Sequence, residues 1–143
     1  MDILKRSLAP ITESAWPEIE NRAKTILHAN LSARKFVDVT GPYGWDFAAV
    51  PAGRLETSAN QKNGNVRYGV HIVQPIVETR ISFSLDIWEL DNIVRGAKDI
   101  DFQPLDKAVK ESALFEEAAI YNGLKKAGIK GLTESVQYPE ITF

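Results

Sequence analysis

The stretch that decides the fold is residues 66–87, which read VRYGVHIVQPIVETRISFSLDI. In its second half apolar side chains alternate with polar ones, the pattern of a strand with one buried face. Residues 76–87 extended at about 3.3 Å each would span roughly 40 Å, about twice the length of a typical strand. The predicted inner face comprises Val77, Thr79, Ile81, Phe83, Leu85 and Ile87.

A turn signal immediately precedes this stretch and predicts a hairpin. Residues 58–65 are polar and contain Asn63-Gly64, a dipeptide typical of tight turns. We therefore expect residues 54–58 and 66–72 to be the hairpin arms. An isolated two-stranded ribbon is marginal in water. A long hairpin with an apolar face needs another surface, and in a chain this small we expect a neighbouring subunit to supply it.

Two amphipathic helices are predicted, over residues 14–33 and 104–127. In the first, Thr12 or Ser14 is the expected N-cap, and Ser14 is favoured because the proline at position 17 then lies in the first turn. In the second, Pro104 suits the first turn and Gly128 is the expected stop residue. Apolar residues recur at helical spacing in both, at Trp16, Ile19, Ala23, Ile26, Leu27 and Leu31, and at Leu105, Ala108, Val109, Phe115, Ala119 and Ile120.

The remaining segments have weaker signals. Residues 36–39 are predicted to form a short strand, 41–44 a turn and 88–103 a polar connector with short turns. The tail, residues 136–143, has a strand-like pattern and ends in an apolar extended segment. Because natural C-termini are often polar and loose, this tail leads us to expect a truncated chain.

Composition describes an ordinary globular domain and excludes several classes of function. The chain has 143 residues, 44% hydrophobic and 25% charged, which suits one domain. With 17 Lys plus Arg against 19 Asp plus Glu, the net charge of −2 gives no support for binding nucleic acid or an anionic membrane. The absence of cysteine excludes disulfides, thiolate catalysis and cysteine-based metal sites. No apolar stretch is long enough for a membrane span.

Catalytic and metal-binding patterns are missing from the sequence. There is no Gly-x-Ser-x-Gly elbow, no P-loop and no Gly-x-Gly-x-x-Gly. His28 and His71 have no carboxylate at a metal-motif offset from both, so we interpret them as surface or capping residues. Trp88 with Arg80 offers a stacking plane and a cation to a planar anionic ligand, although structural packing of Trp88 is the favoured interpretation. The acidic side chains of the same region are interpreted as loop and cap residues rather than a cation site: Asp86, Glu89, Asp91, Asp99 and Asp101.

Three longer motifs point to a family. The first is LKRSLAPIT at residues 4–12, the second LSARKFVDV at 31–39 leading into GPYGW, and the third LDIWELDN at 85–92. In this order and spacing they closely resemble encapsulin shell proteins, once called linocin-type bacteriocins. The similarity continues through residues 115–123 and 128–132 and covers nearly the whole chain.

The resemblance implies an α+β chain with the major-capsid-protein fold of tailed bacteriophages, incomplete at its C-terminus. On that template, residues 1–45 are the N-terminal arm and first helix, and residues 46–85 are the extended-loop β-hairpin. Residues 86–143 are the first part of the peripheral domain, with residues 104–127 as its spine helix, and the axial domain is absent.

The resemblance also implies a structural role without enzyme activity or a required cofactor. Encapsulins assemble into icosahedral nanocompartments in the cytoplasm and enclose cargo enzymes, typically ferritin-like proteins or dye-decolorising peroxidases. The cargo has a short targeting peptide that docks on the inner shell wall. The expected partners are copies of the chain, a cargo enzyme and a separate chain that contains the missing C-terminal half, with no nucleic acid and no membrane.

Candidate site residues follow from the same resemblance. The cargo-peptide groove is expected to include Leu31, Arg34 and Asp38, with the two charged residues either pairing with the peptide or forming salt bridges within the subunit. Some family members bind flavin near the threefold region, a neighbourhood that Arg80 and Trp88 match. No metal site is expected. The extended loop is expected to contact the neighbouring subunit through Val77, Ile81, Phe83 and Leu85.

Three origins of the short chain and one alternative function are compatible with the same sequence. Known family members are nearly twice as long, so the chain is expected to be one piece of a split shell protein, a fragment, or a truncated form that assembles differently; its apolar end favours the first two. The alternative function is a virus or prophage major capsid protein of the same fold. A small enzyme or antibacterial protein is disfavoured because no motif supports catalysis.

Overall fold

The computed structural model describes residues 4–57 and 62–136. It is an α+β chain, as the sequence predicts, with helices and two small antiparallel sheets. In the described part of the chain, no helix is both long enough and apolar enough to cross a membrane.

The residues cluster into two compact units, which we describe separately. The helical unit comprises Met1–Lys35 and Arg80–Glu117, and the hairpin unit comprises Phe36–Thr79 and Ala118–Phe143. The division into an arm, an extended loop and a peripheral domain that the family resemblance implies stays a prediction.

Three helices build the helical unit. Helix α1 spans Ala15–Asn30, α2 spans Ile87–Arg95, and α3 spans Gln103–Asn122, with its last residues in the hairpin unit. Short 3-10 turns lie at Arg6–Leu8 and Ala33–Lys35. The two predicted helices are therefore present, the first shorter than predicted at its C-terminal end.

Charged pairs fix α1 against α3 and the N-terminal segment. The Arg22 guanidinium donates from Nε to Oδ1 of Asp106 at 2.7 Å and from a second nitrogen to the other carboxylate oxygen. This hydrogen-bonded pairing lowers the pKa of Asp106 and raises the pKa of Arg22. Arg6 forms a salt bridge with Glu20 and lies 4.9 Å from the ring centroid of Trp16, which holds the first 3-10 turn on α1.

The start of α1 differs from the prediction in its capping. Ser14 occupies the N-cap position, as expected, but its side chain makes no cap hydrogen bond. Its φ of −72° and ψ of −20° are already helical, whereas a capping side chain needs an extended backbone to reach the next turn. Instead, the hydroxyls of Thr12 and Ser14 lie 3.1 Å apart.

The predicted polar connector over residues 88–103 is wrong in its first half, where α2 forms. The carboxylate of Asp86 accepts the backbone N–H of Trp88 at 2.8 Å, which caps the helix start. Gly96, with φ +95°, ends the helix in the left-handed conformation that glycine adopts without strain. The remaining carboxylates serve the connection to α3, since Glu89 accepts the N–H of Asp101 and Asp101 accepts that of Gln103.

The buried apolar core that the described residues form is small and lies in the helical unit. Among the described residues, its members are leucines and alanines: Ala15, Leu31, Ala33, Leu90, Leu105, Ala108 and Ala113. No large side chain in the described part is completely enclosed. Most apolar residues that the structure describes are therefore half-buried or exposed.

Helix α3 ends five residues earlier than predicted. Its stop residue is Gly123, with φ +80°, and a Cβ there would meet the backbone of Ile129 and Gly131 at 2.7 Å. The chain turns sharply at this point, and Leu124 donates its N–H to Ile129 O at 2.9 Å. Gly128, the predicted stop, ends the separate 3-10 turn Lys125–Ala127 instead.

The hairpin unit contains the predicted hairpin. Strand β1, Ala49–Glu56, pairs antiparallel with β4, Val70–Pro75, and the register shifts at Ala52-Gly53. Nearer the tip, β2, Lys62–Asn63, pairs with β3, Val66–Arg67. At the root, Gln74 donates from Nε2 to Ala127 O at 2.7 Å, which fixes the hairpin to the turn after α3.

Two predicted strands are not formed. Residues 36–39 and 76–86 have no ladder partner in the described chain, and β4 ends at Pro75. A strand needs a neighbour for its backbone groups, and β1 offers none beyond Ala48, whose carbonyl accepts the N–H of Ile76 at 2.9 Å. The predicted tail strand lies largely outside the described residues, and the short helix α4, Leu132–Ser135, precedes it.

Candidate functional site

A groove of about 560 Å³ in the helical unit contains two of the predicted site residues. It is formed by the C-terminal half of α1, the 3-10 turn after it and the middle of α3. The side chains that line it are Lys24, Leu27, His28, Leu31, Arg34, Lys35, Ser112 and Glu116.

Two adjacent carboxylates of α3 hold the turn that closes one end of the groove. Glu117 accepts the Ser32 hydroxyl and, at 2.9 Å, the backbone N–H of Ala33. These hydrogen bonds, the hydroxyl first, lower the pKa of Glu117. Glu116 accepts two hydrogen bonds from Arg34, at 2.5 and 2.8 Å, and this bidentate pair raises the pKa of the arginine.

The groove combines an apolar floor with a cationic rim. Leu31 is buried and Leu27 is half-buried, so aliphatic surface lies at the bottom. Lys24, His28 and Lys35 add donors at the edges. An open groove of this kind suits an extended peptide, because apolar side chains fill the floor while rim donors bind its carbonyl or carboxylate oxygens.

The predicted cargo-site residues have different surroundings. Leu31 and Arg34 line the groove, and Arg34 forms the salt bridge within the chain that the sequence left as one of two possibilities. Its side chain is still 50% exposed. Asp38 is exposed and belongs to the hairpin unit, so we describe it apart from the groove.

Sequence reasoning missed Glu116 and Glu117 as partners of the turn after α1. They lie more than eighty positions away along the chain. The available signal was charge: two adjacent glutamates on the predicted spine helix are natural partners for Arg34-Lys35. Without the packing of α1 on α3, that signal does not distinguish them from other acidic residues.

The predicted interface residues remain accessible to different degrees. Ile81 and Phe83 line a shallow pocket of about 270 Å³ against the first turns of α3, with 42% and 44% of their surface exposed. Leu85 is half-buried, and Val77, in the hairpin unit, is 36% exposed. Ile81 and Phe83 thus lie beside a helix rather than in a sheet, and the role of this segment at an interface stays a prediction.

The paired strands β1 and β4 expose large aliphatic side chains to solvent. By the strand register, Val50, Val70 and Ile72 share one face of this sheet and Leu55 and Val73 share the other. Large apolar side chains exposed together on a sheet are typical of a surface that binds a partner. We call this surface the apolar ribbon; it comprises Val50, Leu55, Val70, Ile72 and Val73, each between 44% and 54% exposed.

Other candidate positions offer no assembled site. Trp88 is 75% exposed, so the favoured interpretation that it packs structurally is wrong for the described chain. Within residues 4–57 and 62–136, no group of three or more metal-ligating side chains comes together. His28 lines the groove and His71 is exposed on β4.

Comparison with known proteins identifies a family across the whole chain. The family model described as "Encapsulating protein for peroxidase" (Linocin_M18) matches residues 1–143. A type 1 encapsulin shell protein of Rhodospirillum rubrum is 39% identical over 140 residues, which covers 94% of this chain and 50% of the relative. Relatives with the same name from Rhodococcus erythropolis and Mycobacterium tuberculosis are 38% and 37% identical, each covering 99% of this chain and 53% of the relative.

The chain thus spans about half the length of the curated relatives that it matches. These comparisons confirm the predicted resemblance and agree with a structural shell component rather than an enzyme.

Proposed function

The chain belongs to the encapsulin shell-protein family, and on that premise we propose that it forms part of the wall of a cytoplasmic icosahedral nanocompartment. In this proposal it has the tailed-phage major-capsid fold and corresponds to the N-terminal half of a protomer. The remaining half, on the same or a separate chain, completes the fold. Copies of the protomer assemble into the shell.

The observation that carries the proposal is the apolar ribbon. Its five aliphatic side chains stand on a two-stranded sheet with no covering layer in the described chain. Such a ribbon is marginal alone, and docking on a neighbouring protomer both stabilises it and joins the subunits. Folding of the hairpin and assembly of the shell would then be partly inseparable.

The groove between α1 and α3 is the proposed docking site for the targeting peptide of a cargo enzyme. Leu27 and Leu31 would receive aliphatic side chains of the peptide, and the rim donors would bind its backbone oxygens. Arg34 is already paired with Glu116, so we assign it mainly to shaping the groove. The family description favours a peroxidase as cargo. A ferritin-like protein is the second class that the sequence resemblance implies.

Cross-linking from the ribbon tests the assembly proposal. The chain contains no cysteine, so a Val70→Cys variant places one thiol on the ribbon for a thiol-directed photo-cross-linker. The matched control is Ala29→Cys, an exposed position on α1 outside the groove lining. Each variant is purified under native conditions and cross-linked. Val70→Cys should give covalent dimers of the chain, and Ala29→Cys should give few.

Cross-links that join Val70→Cys only to its own copy would contradict the proposal, because the ribbon would then be covered from within.

Flavin binding at Arg80 and Trp88 remains a sequence prediction that the shell role does not require. A flavin absorbance spectrum of the purified protein tests it, and a blank spectrum after soaking with flavin removes it.

A further inference from the structure

The sequence contains two Asn-Gly dipeptides, and the fold places them in opposite environments. Asn63-Gly64 lies at the tip of the hairpin, and both residues are exposed. Asn122-Gly123 lies at the end of α3. Identical chemistry in two surroundings allows the effect of the fold to be separated from the effect of the sequence.

At the hairpin tip, the backbone amide of Gly64 is open to reaction. The pairing of Asn63 with Val66 uses the backbone groups of those two residues, so Gly64 lies in the two-residue loop outside the ladder. Its φ is +61°, and a Cβ built on it would meet no atom within 4 Å. Both residues are exposed, so the Gly64 nitrogen is accessible to the side chain of Asn63.

At the end of α3, the corresponding amide is engaged and enclosed. The N–H of Gly123 donates to Ala119 O at 3.0 Å. A Cβ on Gly123 would lie 2.7 Å from Gly131 N and Ile129 O, so the chain packs tightly around it. Attack by this nitrogen requires the helix end to open first.

We propose that Asn63 is a site of spontaneous deamidation in the folded protein, whereas Asn122 is protected. The Gly64 nitrogen attacks Cγ of Asn63, a C–N bond forms, the Cγ–Nδ2 bond breaks, and ammonia leaves with the amide proton. Water then opens the cyclic imide, at Cγ to give aspartate or at the backbone carbonyl to give isoaspartate. The sequence of steps needs no oxidant or reductant.

The products change the hairpin tip irreversibly. The ladder of β2 and β3 has only two residue pairs, Asn63 with Val66 and Lys62 with Arg67. Isoaspartate adds a carbon to the backbone and disrupts this short register, while aspartate adds a negative charge beside two cations. The tip formed by β2 and β3 is separate from the β1–β4 pair that forms the apolar ribbon, so the reaction at Asn63 is distinct from the proposed docking surface.

The test is peptide mapping by mass spectrometry after incubation of the native protein in mildly alkaline buffer. Conversion at Asn63 should exceed conversion at Asn122 by about tenfold or more, a factor that corresponds to an opening free energy of about 1.4 kcal/mol. In denaturant the two sites should convert at similar rates. An Asn63→Gln variant, which keeps the amide, should lose the conversion at that peptide.

Either of two results would overturn the proposal. Equal conversion at Asn63 and Asn122 in the native protein would show that the fold does not discriminate between them. Conversion at Asn63 in denaturant but not in the native protein would show that the hairpin tip protects the residue.

Discussion

Replacing Ile72 by aspartate should prevent subunit association while leaving each chain folded. Ile72 lies in the middle of β4, where it is 44% exposed, and its cross-strand partner is Arg54. An aspartate at position 72 faces this arginine directly. Opposite charges at such a position contribute about 0.2–1 kcal/mol to pairing, so the hairpin itself should tolerate the change.

The loss of association free energy in this variant follows from the exposed fraction of Ile72. Complete burial of an isoleucine contributes about 1.5–3 kcal/mol, so covering the remaining 44% of Ile72 contributes about 1 kcal/mol. The side chains on the same face of the apolar ribbon, Val50, Val70 and Ile72, together contribute about 3 kcal/mol per subunit. Desolvating a carboxylate costs several kcal/mol. Ile72→Asp should therefore weaken each contact by about 3 kcal/mol or more, roughly a hundredfold in the association constant.

Light scattering after size-exclusion chromatography measures the association, and far-UV circular dichroism measures the helices. Ile72→Asp should shift the protein to small species with unchanged helical content. Ile72→Val keeps the surface apolar and should assemble like the parent. Assembly of the aspartate variant to the same extent as the valine variant would refute a role for the ribbon at a subunit interface.

Three further predictions concern the helical unit. Leu27→Asp should reduce the cargo that co-purifies with the protein, whereas Ala29→Asp on the same helix should not, as measured by the ratio of cargo to shell bands; equal loss in both would contradict the groove assignment. Leu105→Ala should lower the free energy of unfolding in urea by about 2–3 kcal/mol, because this leucine is 2% exposed; a loss well below that range would mean that the site collapses around the cavity. Because Arg22 lowers the pKa of Asp106, the pair stabilises the fold above the ordinary aspartate pKa and loses this contribution as the pH falls through the lowered value. Asp106→Asn should therefore reduce the thermal midpoint at neutral pH and match the parent in strong acid. An equal reduction of the midpoint at both pH values would exclude the ion pair as the cause.

The regular periodicities of the sequence predicted the main elements of the fold. The stripe from Trp16 to Leu31 identified α1, and the apolar recurrence after Pro104 identified α3. The turn signal at Asn63-Gly64 predicted the hairpin, although the loop is Gly64-Asn65, one residue later. In each case a local signal was sufficient, because the element is determined by side chains close together in the chain.

The sequence predictions fail where residues distant along the chain determine the structure. Alternation over residues 76–87 suggested a strand, but Ile81 and Phe83 lie beside α3 and no partner strand is available in the described chain. The helix α2 was hidden by its polar composition, although Asp86 and Gly96 mark its ends. In the candidate site, the sequence named Leu31 and Arg34, but Glu116 and Glu117 became partners only through the packing of α1 on α3.

The mass of the natively purified protein tests the central claim most directly. Light scattering gives the mass, and negative-stain imaging shows whether the particles are closed. We expect closed particles of megadalton mass that contain this chain, because neighbouring protomers cover the apolar ribbon. A monodisperse monomer with the ribbon still exposed would contradict the account.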